Sequence, residues 1–286
     1  MANLPDLFDL SGRVAVVTGG AGLLGVEFCK TLAQAGARVV IADIDGEAAL
    51  ALAASLDREW PAQAGATQIS PARAIGVLTD VASPISVQEL VKKTVAEFGR
   101  LDILVNGAAV DPKFDPVHES TSKALFSFED FPLQAWQQAM NVNLTGMFLV
   151  SQAAVRPMLA QGKGAIINVC SIYGLVGPDQ RIYQKPGQVP QYKPVYYSVT
   201  KAGVLGLTHY LATYYAGKNL RVNALTPGGV FNGHEEAFVQ AYSARTVLGR
   251  MAEKDEMNGA LLFLASDASA YMTGGNLIVD GGWTAW

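Results

Sequence analysis

Cysteine is almost missing from this chain: Cys29 and Cys170 are the two among 286 residues. Neither shows metal-ligand spacing, and two thiols do not make a disulfide framework. No metal site is expected, and both thiols are expected reduced, in the core of a cytoplasmic protein. Charge is also sparse, at 16% of residues with a formal net charge of −4. That leaves no basic stripe for nucleic acid and no general attraction to an anionic membrane. No apolar run reaches the roughly 18 residues of a transmembrane helix. The start, MANLPDLFDLSGR, has no basic stretch followed by a long apolar one, so no secretory signal is expected. No repeat at a solenoid period is visible. What the chain does have is apolar material, half of its residues, enough for the core of one large domain over 1–286.

Short apolar runs alternate with longer segments of helical period. The runs at 13–18, 37–43, 72–80, 102–109, 164–171, 220–227 and 276–282 read as strands from their β-branched content. Between them, 22–36, 46–60, 83–98, 133–159, 196–216 and 254–265 read as helices, with Pro157 distorting the end of the fourth. The stretches 111–130 and 178–194 read as enlarged surface loops. Strands alternating with helices imply an α/β chain: a doubly wound Rossmann fold around a seven-stranded, mostly parallel sheet with helices on both faces. Ligands in such folds sit beyond the carboxyl ends of the strands.

VAVVTGGAGLLG at 14–25 fits that geometry. Gly20, Gly22 and Gly25 match G-x-G-x-x-G directly after a strand and opening a helix. Glycine lets the backbone approach a pyrophosphate, and the helix N-terminal amides face the anion. Contacts are expected from Gly19, Gly22, Leu23, Leu24 and Gly25. Asp43 ends the second strand, 18 residues after Gly25. A carboxylate there accepts from ribose hydroxyls and repels a 2′-phosphate, and Ile44 beside it offers no cation, so NAD is favoured over NADP. The competing role for Asp43 is a cap on the helix that opens at Gly46. Asp80 and Val81 end the third strand, either beside the adenine or capping the next helix. Asn106, Gly107, Ala108 and Ala109 end the fourth, leaving room for a cofactor or for helix packing.

Tyr197 and Lys201 stand i, i+4 on one helix face. An ammonium close to a phenol lowers its pKa from about 10 and makes an acid/base for neutral pH. A second Y-x-x-x-K, Tyr214 to Lys218, has Gly217 breaking it and reads as structural. Ser171, at the end of the fifth strand, can donate to a substrate oxygen or form a turn. Asn143 is an odd residue inside a helix, either holding a relay water or satisfying a local backbone group.

From Leu10 to Gly282 the chain resembles the short-chain dehydrogenase/reductase family. The carriers are TGGAGLLG (18–25), VVIADID (39–45), TDV (79–81), NGAA (106–109), NVNLTG (141–146), INVCSIYG (167–174), YSVTK (197–201), NALTPGGV (223–230) and GGNLIVDGG (274–282). The resemblance implies a catalytic tetrad of Asn143, Ser171, Tyr197 and Lys201. In it the tyrosine is the acid/base, and the lysine tunes it and binds the nicotinamide ribose. The serine orients the substrate oxygen, and the asparagine anchors a relay water. Pro227 and Gly228 would flank the nicotinamide, with Val230 in the same motif. A homotetramer or homodimer built on the helices at 133–159 and 196–216 is likewise implied.

Three departures stand out. The family's compact branch places a glycine where this chain has Leu23, and the spacing here, like VNGAA at 105–109, is that of the extended branch. Yet the 85 residues after Lys201 are too few for an extended substrate domain. Asn232 stands where many compact members place a threonine near the cofactor amide. Ser171 and Tyr197 are 26 residues apart, roughly twice the family's usual separation. The extra segment 178–194 carries Arg181, Lys185 and Lys193 against Asp179 alone. It and 111–130 either wall a pocket for a polar substrate, anions included, or serve as oligomer contacts and solvated surface. Ser171, Tyr173, Arg181 and Lys185 are the candidate substrate contacts. The expectation is an NAD(H)-dependent oxidoreductase interconverting a secondary alcohol and a ketone on a sugar, sugar derivative or polyol. The alternatives are a 3-oxoacyl-thioester reductase and a catalytically silent NAD-binding regulator.

Overall fold

The computed structural model describes residues 3–61, 72–111, 127–184, 187 and 190–286. Its strands are β1 (Val14–Thr18), β2 (Arg38–Asp43), β3 (Ala74–Leu78), β4 (Ile103–Asn106), β5 (Gly164–Val169), β6 (Leu220–Pro227) and β7 (Asn276–Val279). They form one sheet in the order β3-β2-β1-β4-β5-β6-β7. Every pairing is parallel. The order runs outward in both directions from the β1–β4 seam, the doubly wound arrangement, whose crevice opens at that seam.

The helices are α1 (Leu4–Leu7), α2 (Leu23–Gln34), α3 (Gly46–Glu59), α4 (Pro84–Phe98), α5 (Leu133–Met140), α6 (Met147–Gln161), α7 (Val195–Tyr214), α8 (Glu236–Ser243) and α9 (Asn258–Ala265). A parallel sheet needs cover on both faces, and successive strand residues point to opposite sides. Ala15, Val17, Val39 and Ile41 pack with Phe28 and Leu32 of α2, Leu56 of α3 and Leu261 of α9. Val14, Val16, Val40 and Leu104 pack with Leu90 of α4 and Val150 and Met158 of α6. A third, aromatic cluster sits beside the carboxyl end of the sheet: Tyr173, Tyr183, Tyr242 and Trp283, with Tyr197 and Phe238 against it.

The helix expected over 133–159 is two helices joined by a π-helical segment, Asn141–Gly146. Pro157 does not end it; α6 continues to Gln161 and stops at Gly162, whose φ is +75°. The expected 254–265 helix starts only at Asn258. The loop at 178–194 contains a 3-10 turn, Gln180–Tyr183, that buries Ile182 and Tyr183. The short helix α8, for which no expectation was drawn, packs near that turn. α7 ends at Tyr214, so Lys218 lies beyond the helix and the second Y-x-x-x-K does not share a helical face.

Candidate active site

The cradle is built by β1 running into α2. Gly19 takes φ +65°, a left-handed turn, and a Cβ there would lie 2.8 Å from the Ala108 Cα. Gly25 is closer still: its Cβ would stand 2.0 Å from the Gly19 carbonyl oxygen. The glycines therefore let the loop fold onto the start of α2 and onto β4. Gly22 is the N-cap residue and Leu23 the first helical residue. Leu23 thus occupies a position that helical backbone accepts, and its side chain lines the cleft.

That cleft has a volume of about 1140 Å³ and runs from Asp43 to Tyr197 and Lys201. Gly19, Gly22, Leu24, Gly25, Ile44, Asp80 and Val81 line it, as do Gly107, Ala108 and Ala109. Asp43 Oδ2 accepts from the Ala21 amide at 2.9 Å and Oδ1 from the Asp45 amide at 3.1 Å. Asp45, not Asp43, caps α3, through Ala48 N at 2.9 Å. Asp43 is thereby left at the cleft. Asp80 Oδ1 accepts from Ala82 N at 2.9 Å, while Ser83 caps α4.

Asn106 departs from expectation. Its side chain is buried and donates to Ser151 Oγ at 3.0 Å and Asn168 Oδ1 at 2.9 Å. It ties β4 to β5 and α6 beneath the floor of the cleft, and does not line it, because two core partners compete for the amide. Thr18 holds the following turn, its Oγ accepting from the Gly107 and Ala108 amides at 3.1 and 3.3 Å. Pro227 lines the cleft. Gly228 donates instead to Val279 O at 2.9 Å, and Val230 bridges to Ala252. Asn232 is exposed and its amide nitrogen donates to His234 Nδ1 at 3.2 Å.

The reactive end gathers Ser171, Tyr197 and Lys201. Ser171 extends β5, accepts from the Tyr173 amide at 3.2 Å and hydrogen-bonds the Tyr197 phenol. Lys201 Nζ, buried, donates to Val169 O at 2.8 Å and lies 5.7 Å from the Tyr197 ring centroid. Gly174 makes the close packing of α7 possible, since a Cβ there would stand 2.7 Å from the Lys201 carbonyl carbon and oxygen. Burial pushes the Tyr197 phenol above its ordinary value, the Asp111 carboxylate adds to the rise, and the Ser171 hydrogen bond opposes it. Burial also lowers the Lys201 ammonium. The expected lowering of Tyr197 by Lys201 is therefore outweighed: desolvation dominates and Lys201 is bonded to a carbonyl. Asn143 Oδ1 accepts from Val110 N at 2.6 Å, and Nδ2 donates to Val110 O at 3.1 Å and to Thr200 Oγ1 at 3.3 Å. The side chain takes the backbone-satisfying role and pins the strand exit to the π segment.

The candidate substrate contacts separate. Tyr173 stands edge-on to Tyr197, at 6.5 Å between centroids, but its hydroxyl is bonded to that of Tyr183 at 2.8 Å. Arg181 is not at the site. Its side chain is 85% exposed and binds Asp179, two residues away, at 2.8 Å. Lys185 lies outside the described residues. Lys193, counted only among the loop's basic residues, instead reaches the centre: its Nζ is 4.1 Å from the Tyr197 centroid and 2.5 Å from Asp111 Oδ1. The signal was a lysine four residues before the tyrosine and an aspartate at the start of the other enlarged loop.

The chain is similar to known proteins over nearly all of its length. Residues 21–284 match the model of a family described as Enoyl-(Acyl carrier protein) reductase. The cis-4-hydroxycyclohexanecarboxylate dehydrogenase of Sinomonas cyclohexanicum is 38% identical over 277 residues, covering 96% of this chain and 97% of that one. The D-threitol dehydrogenase of Mycolicibacterium smegmatis is 36% identical, covering 97% and 95%. The crystal structure of a gluconate 5-dehydrogenase from Burkholderia cenocepacia, in complex with NADP and tartrate, superposes with a TM-score of 0.82 at 31% identity, covering 99% and 100%.

Proposed function

This chain belongs to the short-chain dehydrogenase/reductase family and is an alcohol oxidoreductase, and we propose that it prefers NAD(H) and interconverts a secondary alcohol and a ketone on a polyol or sugar-like substrate. The observation that carries the reading is one cleft with Asp43 at one end and Tyr197 and Lys201 at the other, the Tyr197 phenol being paired with Ser171. The cofactor fits the residues present: the Gly19 and Gly25 positions exclude side chains, and α2 presents its N-terminal amides there. Nicotinamide, when bound, supplies the hydride acceptor or donor.

The chain's own groups do the rest. Tyr197 takes or gives the proton at the substrate oxygen. Ser171 donates a hydrogen bond to the same oxygen and steadies its charge. Lys201 supports the phenol from its anchor on Val169 O. Asp43 supports NAD because a 2′-phosphate would meet a carboxylate, with exposed Ile44 beside it in place of a cation. The neighbour solved with NADP makes this a point to measure. The relatives named for threitol and a hydroxycyclohexane acid support a hydroxyl-bearing substrate. Exposed Leu133, Phe148, Tyr210 and Tyr214 on α5, α6 and α7 support self-association through those helices.

Two measurements test the reading. Tyr197→Phe should lower kcat by about 10²- to 10⁴-fold, far more than it changes NADH affinity. Steady-state rates with NADH and NADPH on a panel of ketoses and cyclic ketones should favour NADH. A clear NADPH preference removes the role given to Asp43.

A further inference from the structure

Lys193 and Asp111 come from the two enlarged loops, 82 residues apart in sequence, and meet at 2.5 Å. The Lys193 side chain is 9% exposed, whereas Asp111 is 47% exposed and lines the cleft. The Lys193 backbone is fixed on both sides: Gln180 Nε2 donates to its carbonyl oxygen at 3.1 Å, and its amide donates to Gln180 Oε1 at 2.8 Å. Its ammonium covers the ring of Tyr197. His234 lies in the field of both charges. Its Nδ1 accepts from Asn232 N, which leaves Nε2 to donate.

We propose that Lys193 and Asp111 are a recognition pair for a second hydroxyl, on the carbon next to the reacting one, so that the substrate is an uncharged vicinal diol or polyol. This rests on the oxidoreductase reading above and names the substrate class of the same site.

Charge decides against an anion. The pair is neutral as a unit. A substrate carboxylate brought to Lys193 meets the Asp111 carboxylate on the same ammonium, and like charges there repel. Pushing Asp111 aside leaves the nearly buried Lys193 ammonium without its carboxylate, which is unfavourable. Arg181, the guanidinium suited to an anion, is bound to Asp179 at the surface.

A hydroxyl has the opposite requirements. It accepts from the ammonium and donates to the carboxylate, using both members without separating them. The valences are there. An ammonium has three donors, and among the described residues Lys193 Nζ donates only to Asp111. Among those residues Asp111 Oδ2 receives no donor. Position agrees too. The reacting oxygen must meet the Tyr197 hydroxyl, at the edge of the ring that Lys193 covers. The ammonium therefore stands beside the reacting centre, where the neighbouring carbon carries its substituent. Tyr173, edge-on to Tyr197, gives an aromatic wall for the C–H face of such a chain or ring.

The test uses butan-2-ol, butane-2,3-diol and 3-hydroxybutyrate, which share one CH3–CH(OH) reacting end, together with xylitol and ribitol. Values of kcat/KM with NAD are measured for the wild type, Lys193→Met and Asp111→Asn, with NADH affinity followed by fluorescence. The wild type should favour the diol over butan-2-ol. In Lys193→Met the diol-to-monoalcohol ratio should fall about 10- to 100-fold, the range for losing a hydrogen bond to a charged group, chiefly through KM. Asp111→Asn should lower the ratio less and raise activity on 3-hydroxybutyrate, and the pentitols should follow the diol.

Wild-type preference for 3-hydroxybutyrate that Lys193→Met abolishes would make the lysine a carboxylate anchor and overturn the proposal. Equal losses on the diol and on butan-2-ol would mean that the pair only holds the loops together, and overturn it too. Turnover of butan-2-ol without any diol or polyol overturns the proposal while the oxidoreductase reading stands. NADH binding with no turnover of any of the five compounds brings down that reading itself.

Discussion

Lys193 Nζ stands 4.1 Å from the centroid of the Tyr197 ring, nearer than Lys201 Nζ at 5.7 Å. The family's tuning lysine is thus not the cation nearest the phenol ring in this chain. The nearer one is neutralised by Asp111, whose carboxylate also raises the phenol's pKa directly. Tyr197 is faced by Lys193, Lys201, Asp111, Cys170 and Tyr173; burial is the largest cause pushing the phenol up, Asp111, Cys170 and Tyr173 add to it, and the Ser171 hydrogen bond opposes it.

This arrangement sets the sign of a pH effect. In the role proposed for Tyr197, alcohol oxidation needs its basic form, so the rate falls on the acid side of the phenol's pKa. Replacing Asp111 by Asn removes a charge that raises that pKa and leaves Lys193 uncompensated above the ring. Both changes favour phenolate. The acid limb of kcat/KM for oxidation should therefore move to lower pH in Asp111→Asn. A limb that stays in place, or moves to higher pH, would mean that the carboxylate does not act on the phenol.

Asp43 should govern the choice of cofactor. Asp43→Ser removes the carboxylate that faces the cleft and the acceptor for the Ala21 amide. NADH affinity should fall by about 10- to 100-fold, the scale of one or two hydrogen bonds to a charged group, and NADPH should gain relative to it. Isothermal titration with each cofactor reads both effects. An unchanged ratio would return Asp43 to a purely local role at the turn.

The cradle makes a stricter demand. Gly25→Ala puts a Cβ 2.0 Å from the Gly19 carbonyl oxygen, a contact that backbone must move to relieve. The loop cannot shift freely, because Gly19 is itself packed against Ala108. We expect a loss of about 1–3 kcal/mol in stability and a larger loss in NADH affinity, since the displaced atoms are the cradle itself. Thermal melts with and without NADH check this. Full ligand-induced stabilisation in the variant would show that the loop tolerates the change.

How far the sequence was legible follows from where the information resides. The strands of β1, β2 and β5 were plain because buried parallel strands are continuous apolar runs. The doubly wound order followed from strand–helix alternation. The placement of Asp43, Ser171, Tyr197 and Lys201 was legible because each stands at a strand end or one helical turn from another. Asn106 was misplaced because its partners, Ser151 and Asn168, come from other elements. A local pattern cannot say which way an amide at a strand end will turn. The π segment was hidden for the same reason: what holds it is the grip of Asn143 on Val110. The Lys193–Asp111 pair joins the two enlarged loops, but no periodicity links residues so far apart, so the partners themselves were not legible.

Asp179 gives the last prediction, because it fastens the inserted loop to the rest of the fold. Its carboxylate binds Arg181 at 2.8 Å and also Arg245, which follows α8. Hydrogen bonds from Arg181, with Arg245 adding, hold the carboxyl below the usual carboxylate range. A depressed folded-state pKa stabilises the fold at pH above the unfolded value of about 3.9, and that contribution is lost as pH falls toward the folded value. Both pairs lie near solvent, so the amount is modest. Asp179→Asn should destabilise the protein by about 1 kcal/mol near neutral pH. The gap between wild type and variant should narrow below about pH 4, as the wild type loses the same contribution. The turn that Asp179 opens buries Tyr183, the hydroxyl partner of Tyr173. The variant should therefore also raise KM more than it lowers kcat, because the substrate wall loosens while Ser171, Tyr197 and Lys201 stay on β5 and α7. Denaturant titrations at pH 7 and at pH 3.5, with steady-state kinetics at pH 7, separate these effects. A stability gap that is the same at both pH values would remove the ion pairs as its cause.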